Sequence, residues 1–344
     1  MHVPDGFIDA PVSAATGVVA AGAIAVSLRG ARRELDERTA PLAGLVAAFI
    51  FAVQMLNFPV AAGTSGHLLG GALAAILVGP YTGVLCVSVV LLMQGILFAD
   101  GGLTALGVNI TDMAITTTVV AYAVFRGLVQ LLPRTRRSIT AASFLAALLS
   151  VPAAALVFTL LYSLGGTTDV SLTKVATAMI GVHVLIGIGE AAITALTVGA
   201  VIAVRPDLVY GARGLEQRLK LRVNGELVDA PAQLEPVAAR GTSRRKLWLT
   251  GLVASLLLAG FVSFYASSNP DGLEKVAADH GIDRQAKEHT SADSPLADYG
   301  VRDVDDARLS GGLAGVIGVG VTVVAGTGVF WAVRKRRSST SQVA

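Results

Sequence analysis

The chain has 344 residues, of which 53% are hydrophobic and only 15% are charged, and its mean hydropathy is +0.66. Because soluble domains carry about a quarter charged residues, this composition excludes a soluble domain and indicates a polytopic membrane protein. The net charge of +3 comes from basic loops without interleaved aromatic residues, which favours a membrane-orientation signal over nucleic-acid binding. A single cysteine, Cys86, allows no internal disulfide.

The amino terminus places an imidazole, that of His2, directly beside the α-amine of Met1. These are two nitrogen donors on one short backbone, which can chelate a divalent metal ion of intermediate softness. The pKa of an α-amine lies near about 8, so the amine loses its proton at modest cost when a metal binds. We therefore predict a metal site here, and we expect the turn residues Pro4-Asp5-Gly6 to direct the terminus back toward the protein.

The first apolar run, Pro11–Leu28, is predicted to be a retained helix with its N-terminus outside the membrane. A cleavable signal peptide has a basic region before its apolar core, whereas residues 1–10 contain Asp5 and Asp9 and no Lys or Arg. The basic residues follow the run instead, within 29–38, which is the order typical of a retained span.

Apolar segments of about 20 residues predict an all-α bundle of seven spans followed by a two-span hairpin. The predicted spans are Pro11–Leu28, Leu42–Phe58, a short one from His67 to Pro80, Tyr81–Phe98, Val108–Leu132, Ile139–Leu164, Val175–Val204, Leu247–Ala266 and Leu309–Val333. Most basic residues fall in 29–38, 134–137, 205–246 and 334–337, which places the N-terminus outside and the C-terminus inside.

This layout puts His67 on the same outer side as Met1 and His2. Because His67 follows a glycine-containing segment, Gly63–Gly66, we expect it to begin the third helix with its imidazole pointing inward. A third nitrogen then meets the first two. The alternative interpretation is an interfacial histidine bonded to a carbonyl oxygen.

Two polar residues of the membrane segments, Gln94 and Asn109, are candidates for orienting the imidazoles. Asp100 is interpreted as a turn residue. A second polar pair, His183 and Glu190, lies at i and i+7 on one helical face. These two either bond each other or line the proton path of a stand-alone secondary permease, which is an alternative function.

An enzyme interpretation rests on Gly63–Gly66, which has the Gly-x-Ser-Gly form of an intramembrane serine protease. Ser65 would be the nucleophile and His183 its base. A four-residue match in a glycine-rich chain is a weak signal, and this interpretation gives His2 no role.

Three segments resemble, in family order, the substrate-binding membrane component of cobalt and nickel energy-coupling factor transporters, the CbiM and NikM proteins. They are Met1–Phe7, Gly63–Gly70 and Leu92–Asn109. The resemblance covers about residues 1–210.

Two segments of the C-terminal part, Asn269–Glu274 and Ala297–Gly300, resemble the small partner protein of those transporters, CbiN or NikN. That partner has two spans that flank an outer loop. The chain is therefore similar to a natural fusion of a metal-binding transmembrane domain (1–210), an inner linker (211–246) and a two-span domain (247–344).

The resemblance implies that the metal is held by nitrogens of Met1, His2 and His67, with Gln94 and Asn109 supporting the site. Four nitrogens in a plane suit Ni(II), and imidazole-rich sites also accept cobalt, so the sequence leaves the choice of metal open. The metal would be transported cargo, with no resident cofactor.

The resemblance further implies the substrate-binding (S) component of an ATP-driven importer in the cell membrane. The chain has no Gly-x-x-x-x-Gly-Lys-[Ser/Thr] phosphate loop, so it is not itself the ATPase. We expect ABC-type ATPase subunits and a transmembrane coupling (T) component as partners. The acidic and histidine residues of the outer loop are interpreted as solvated rather than as metal ligands: Asp279, His280, Asp283, Glu288, His289 and Asp293.

Overall fold

The computed structural model describes residues 1–36, 39–61, 63–213, 220–223, 226–229 and 243–340, and within them the protein is mostly helical. The helices are α1 Ala10–Glu34, α2 Ala40–Gln54, α3 Gly71–Val78, α4 Pro80–Leu97, α5 Leu106–Asn109, α6 Thr117–Leu131, α7 Arg136–Gly165, α8 Leu172–Val204, α9 Arg244–Gly260, α10 Gly272–His280 and α11 Ala307–Thr340. A π-helical stretch, Ile110–Thr116, joins α5 to α6. Two small antiparallel hairpins pair β1 Phe58–Ala61 with β2 Thr64–Gly66, and β3 Lys220–Val223 with β4 Glu226–Asp229.

Seven helices of the described residues are long and apolar enough to cross a membrane, which confirms a multi-pass helical membrane protein. They are Ala10–Glu34, Pro80–Leu97, Leu106–Leu131, Arg136–Gly165, Leu172–Val204, Arg245–Tyr265 and Ala307–Lys335. A shorter apolar helix, Ala40–Gln54, accompanies them. The predicted orientation of the two termini stays a prediction.

The third predicted span, His67 to Pro80, is wrong as a membrane crossing. Its helix, α3, has eight residues, which at 1.5 Å per residue rise only about 12 Å against a hydrocarbon core of about 30 Å. Every residue of α3 is buried in the protein. The run is apolar because helices surround it on all sides, and burial in protein favours the same residues as exposure to lipid.

The two long helices of the C-terminal part pack on the rest of the bundle through α2. Helix α11 lies along α2, and α9 contacts both α2 and α11. A Cβ atom built on Gly326 would lie 3.2 Å from the Cα of Gly44, so two glycines allow α11 and α2 to approach backbone to backbone.

The segment between α9 and α11 covers the end of the bundle that holds the amino terminus. The backbone N–H of Ser267 donates to the carbonyl oxygen of Asn57 at 2.7 Å. Likewise, the N–H of Lys287 donates to that of Asp5 at 2.8 Å, and the N–H of Asp298 to that of Phe98 at 2.9 Å. In the other direction, the N–H of Ser65 donates to Pro270 O at 2.8 Å. The two parts of the chain therefore share one hydrogen-bonded surface at this end.

Candidate metal-binding site

The amino terminus is folded into the protein and is almost completely buried. Met1 is 3% exposed, His2 9% and Val3 0%. The N–H of Val3 donates to Asn109 Oδ1 at 2.7 Å, and Asn109 Nδ2 donates back to the carbonyl of Val3 at 3.1 Å. Asn109 therefore holds the peptide backbone behind the first two residues, rather than orienting an imidazole as the sequence suggested.

The predicted Pro-Asp-Gly turn is confirmed, and Asp5 fixes it. Both the N–H and the hydroxyl of Thr104 donate to Asp5 Oδ1, at 2.8 and 2.5 Å. Gly6 has φ +96°, in the left-handed region that glycine adopts without strain. The turn reverses the chain and returns Met1 to the interior.

His67 lies in the extended segment between β2 and α3, so the prediction that it begins a helix is wrong. Helix α3 begins only at Gly71, because Gly70 has φ +90° and the preceding backbone is bound elsewhere. The Glu190 carboxylate accepts the N–H of Leu69 at 2.6 Å and that of Gly70 at 3.1 Å. This carboxylate holds the strand-like segment that presents the imidazole.

The position of the His67 ring indicates its tautomer. Nδ1 lies 3.0 Å from the carbonyl oxygen of Leu68, which is the geometry of an Nδ1–H donor. The lone pair on Nε2 then faces the terminal amine of Met1, whose nitrogen lies 2.5 Å away. The unprotonated Nε2 of His67 therefore lies next to the terminal amine, where both nitrogens could bind one metal ion.

Four groups converge at this point, three of them at predicted site residues. The rings of His2 and His67 stack with centroids 5.1 Å apart and planes 19° apart. The Met1 amine also donates to Asp271 Oδ2 at 2.6 Å, and that oxygen is 3.5 Å from His67 Nε2. The structure thus brings together Met1, His2 and His67, and their role as metal ligands stays a prediction.

Gln94, the other predicted supporting residue, contacts the His2 imidazole directly. Its Oε1 lies 3.1 Å from His2 Nε2, while Asp100 Oδ1 lies 3.2 Å from His2 Nδ1. Tyr299 closes the ring of contacts, since its hydroxyl donates to Asp100 Oδ2 at 2.6 Å and accepts from Gln94 Nε2 at 2.9 Å. Burial raises the pKa of Tyr299 well above its ordinary value, so its hydroxyl remains a donor.

Electrostatics favour a neutral His2 and an ionised Asp271. Burial lowers the pKa of the His2 imidazole from 6.5 to about 4, although the negative charge of Asp100 acts to raise it. The ring is therefore neutral at neutral pH, and one of its nitrogens has a lone pair that a metal can bind. Burial alone would raise the pKa of Asp271, but the charged terminal amine holds it well below the usual range. A buried carboxylate therefore lies beside the amine.

Sequence reasoning missed three residues of this cluster. Asp271 lies 270 positions away from Met1, and Asp100 was interpreted as a turn residue. A signal was available: Pro270-Asp271-Gly272 repeats the tripeptide at residues 4–6. Tyr299 lies within the second C-terminal segment that carried the resemblance, although nothing there marked the tyrosine itself.

The other candidate residues, Ser65, His183 and Glu190, do not hydrogen-bond to one another. His183 Nδ1 lies 2.7 Å from the carbonyl of Met179 and its Nε2 has no hydrogen-bond partner among the described residues, so it pairs with neither Glu190 nor Ser65. The hydroxyl of Ser65 donates to the carbonyl oxygens of Asn269 and Pro270 instead. The described geometry offers neither a serine–histidine pair nor a histidine–glutamate proton path.

Two side chains of the predicted outer loop have partners other than Met1, His2 and His67. His289 Nε2 is 3.1 Å from the carbonyl of Gly101, and Asp279 pairs with Lys275. Within the described ranges no group of three or more His, Cys, Asp and Glu side chains is arranged to hold a metal ion. A metal site at the terminus therefore depends on nitrogens of the amine and backbone as well as on imidazoles.

Two family models match parts of the chain. Residues 2–208 match the family model described as the cobalt uptake substrate-specific transmembrane region, CbiM. The chain belongs to the CbiM family. Residues 245–335 match a second model, the PDGLE domain. The domain boundaries predicted from the sequence stay predictions.

The named relatives include proteins for nickel transport and for cobalt transport. A putative fused nickel transport protein NikMN of Archaeoglobus fulgidus is 40% identical over 210 residues, covering 61% of this chain and 68% of that protein. The cobalt transport protein CbiM of Geobacter sulfurreducens is 32% identical over 295 residues, covering 82% of this chain and 79% of that protein. A crystal structure of a transition metal transporter superposes with a TM-score of 0.54 at 28% identity, covering 59% of this chain and 93% of that one.

Proposed function

We propose that this chain is the metal-capturing S component of an ATP-driven energy-coupling factor importer for cobalt or nickel ions. One observation carries the proposal: the buried Met1 amine lies 2.5 Å from His67 Nε2, and the His2 ring stacks on that of His67. Membership of the CbiM family and the metals named for its relatives support the same function.

The metal ligands in this proposal are the Met1 amine, nitrogens of His2, and His67 Nε2. Nitrogen ligands lie about 2.0–2.1 Å from a first-row divalent ion, so two adjacent ligands of one ion are roughly 2.9 Å apart. The observed separation between the Met1 and His67 nitrogens is 2.5 Å. An ion therefore needs this pair to open by only a few tenths of an ångström, while His2 gives up one of its contacts to Gln94 or Asp100.

Asp271 gives the C-terminal part of the chain a role at the proposed metal site. Its Oδ1 accepts the N–H of Glu274 and starts α10, while its Oδ2 accepts from the Met1 amine. The carboxylate balances the charge of the terminal ammonium when no metal is present. When an ion binds, the ammonium loses its proton and the same carboxylate faces the cation.

The energy for transport comes from other subunits in this proposal. ABC-type ATPase subunits hydrolyse ATP, and a transmembrane T component transmits their movement to the bundle. The metal enters at the end that holds Met1, and movement of the bundle then exposes the site to the inner side. Uptake by cells that lack the ATPase subunits would favour the stand-alone permease instead.

Substitution of the two proposed imidazole ligands tests the proposal. His2→Ala and His67→Ala should each abolish nickel and cobalt binding by the purified protein and uptake by cells, with normal membrane insertion. The matched control is His280→Ala, because His280 is the last residue of α10 and its Nδ1 lies 3.0 Å from the carbonyl oxygen of Val276, within its own helix. Undiminished metal content in either ligand variant, measured by mass spectrometry, contradicts the assignment.

A further inference from the structure

A polar cavity lies at the opposite end of the bundle from the amino terminus. It forms where the C-terminal end of α6, the N-terminal end of α7 and the segment after α8 meet, and it encloses about 220 Å³. Its lining residues are Tyr122, Arg126, Val129, Arg134, Ile139 and residues 210–213. The volume is below the roughly 300–1,000 Å³ of sites for drug-sized ligands, which suits a small charged group.

The residues that line the cavity carry positive charge and include no carboxylate. Arg126, Arg134 and Arg213 each contribute a guanidinium group, and Tyr122 and Tyr210 contribute phenols. Guanidinium groups bind phosphate oxygens in a bidentate manner, and tyrosine hydroxyls can add a further donor. This donor set matches an organic phosphate.

Contacts with the rest of the protein fix one side of the cavity. The Arg213 guanidinium lies 4.4 Å from the ring centroid of Tyr210, and its Nη2 donates to the backbone carbonyl of Glu34 at 3.3 Å. The nearby Glu34 carboxylate already accepts the N–H groups of Tyr81 and Thr82. The carboxylate is thus bound to another helix but still attracts Arg213. Arg126 and Arg134 are therefore the arginines on which a ligand in this cavity would depend.

The position of the cavity indicates that the phosphate belongs to a lipid. Helix α6 is part of a membrane-crossing helix that ends at Leu131, so the cavity lies at the level of the headgroups. This end carries the basic segments, which assigns it to the inner side. Beside it, Val119 and Leu131 expose 56% and 84% of their surface, which offers a path for acyl chains.

We propose that this cavity binds the phosphate of an anionic phospholipid of the inner leaflet. Basic cavities between membrane helices on the cytoplasmic side are the sites that acidic lipid headgroups occupy. The N-terminus of α7, which begins at Arg136 after the Thr135 cap, adds a favourable helix dipole. This inference is independent of the metal site.

Native mass spectrometry of the delipidated full-length chain tests the proposal with three probes: cardiolipin, phosphatidylcholine and inorganic phosphate. The chain should retain cardiolipin in preference to phosphatidylcholine, and Arg126→Gln combined with Arg134→Gln should lower retention on the order of tenfold, since each lost contact is charge-assisted. Arg136→Gln combined with Arg137→Gln is the matched control, because both residues are exposed in the first turn of α7, close to Arg134 in the chain, but do not line the cavity.

Three outcomes overturn the proposal. Equal retention by the cavity variant and the unmodified chain shows that the arginines do not bind the lipid. An equal loss in the control variant shows only general attraction to basic loops. Displacement of cardiolipin by millimolar inorganic phosphate shows a site for a soluble anion. If the double variant misfolds, Arg134→Gln alone provides the same comparison, because Arg134 lies on an exposed loop.

Discussion

The chain contains the tripeptide Pro-Asp-Gly twice, at residues 4–6 and 270–272, and the two copies serve different purposes. In the first, the Asp5 carboxylate accepts from Thr104 and stabilises a turn. In the second, one oxygen of Asp271 starts a helix and the other accepts from the terminal amine. The first copy of the tripeptide therefore shapes the turn after Met1 and His2, and the second copy places a negative charge beside the Met1 amine.

The glycines of the two tripeptides, Gly6 and Gly272, are also needed for different reasons. Gly6 needs its positive φ, and a Cβ there would lie 2.2 Å from the carbonyl oxygen of Gln285. Gly272 needs space, because a Cβ would lie 2.7 Å from a methyl carbon of Val182 and 3.2 Å from the His183 ring. The comparison shows that tertiary contacts, and not the tripeptide, determine what each copy does.

The largest effect is expected at Asp271. Asp271→Asn keeps an oxygen for the helix cap but removes the charge beside the amine, and breaking a buried ion pair costs up to about 3–5 kcal/mol. Metal affinity should fall on the order of tenfold or more, since a divalent ion gains more from the carboxylate than the ammonium does. Isothermal titration with nickel measures the affinity, and thermal unfolding measures the stability.

Asp271→Ala provides the matched comparison, because it also removes the cap, which is worth about 1 kcal/mol. It should lower stability further than Asp271→Asn while affecting metal affinity equally. If Asp271→Asn binds nickel as tightly as the unmodified chain, the tail's carboxylate has no part in capture.

An intermediate effect is expected at the two glycines. Gly6→Ala places a side chain in the left-handed region at a cost of about 1–2 kcal/mol and against a backbone oxygen that is not free to move. It should lower both the melting temperature and the metal affinity. Gly272→Ala meets side chains that can shift, so it should lower the melting temperature less. A larger decrease in melting temperature for Gly272→Ala than for Gly6→Ala would contradict the view that Gly6 is needed for its backbone conformation and Gly272 for space.

The smallest effect is expected at Asp5. Asp5→Ala removes both bonds from Thr104, worth about 1 kcal/mol each, but leaves every proposed ligand in place. Metal affinity should fall only a few-fold, and the melting temperature should decrease slightly. A loss of affinity as large as that of Asp271→Asn would show that the two aspartates are equivalent.

The sequence predicted the membrane bundle and most of the site, because the terminus, His67 and Gln94 carry their chemistry in local motifs. It did not predict α3, since the run after His67 has the same apolar composition whether lipid or protein surrounds it. It also missed Asp271 and Tyr299, because the tail reaches the terminus through tertiary packing that spacing along the chain does not encode. The sequence indicates Glu190 as a buried polar residue but pairs it with His183. Its role in holding the His67 segment depends on backbone N–H groups, which a sequence motif does not show.

The central claim is that the unblocked Met1 amine is a metal ligand, and adding residues ahead of Met1 tests it most directly. The extension moves the charged amine away from His67 while leaving both imidazoles unchanged. The same extension at the C-terminus is the control. We expect the N-terminally extended protein to bind no nickel or cobalt at concentrations that saturate the control. Equal binding by the two proteins would contradict the account.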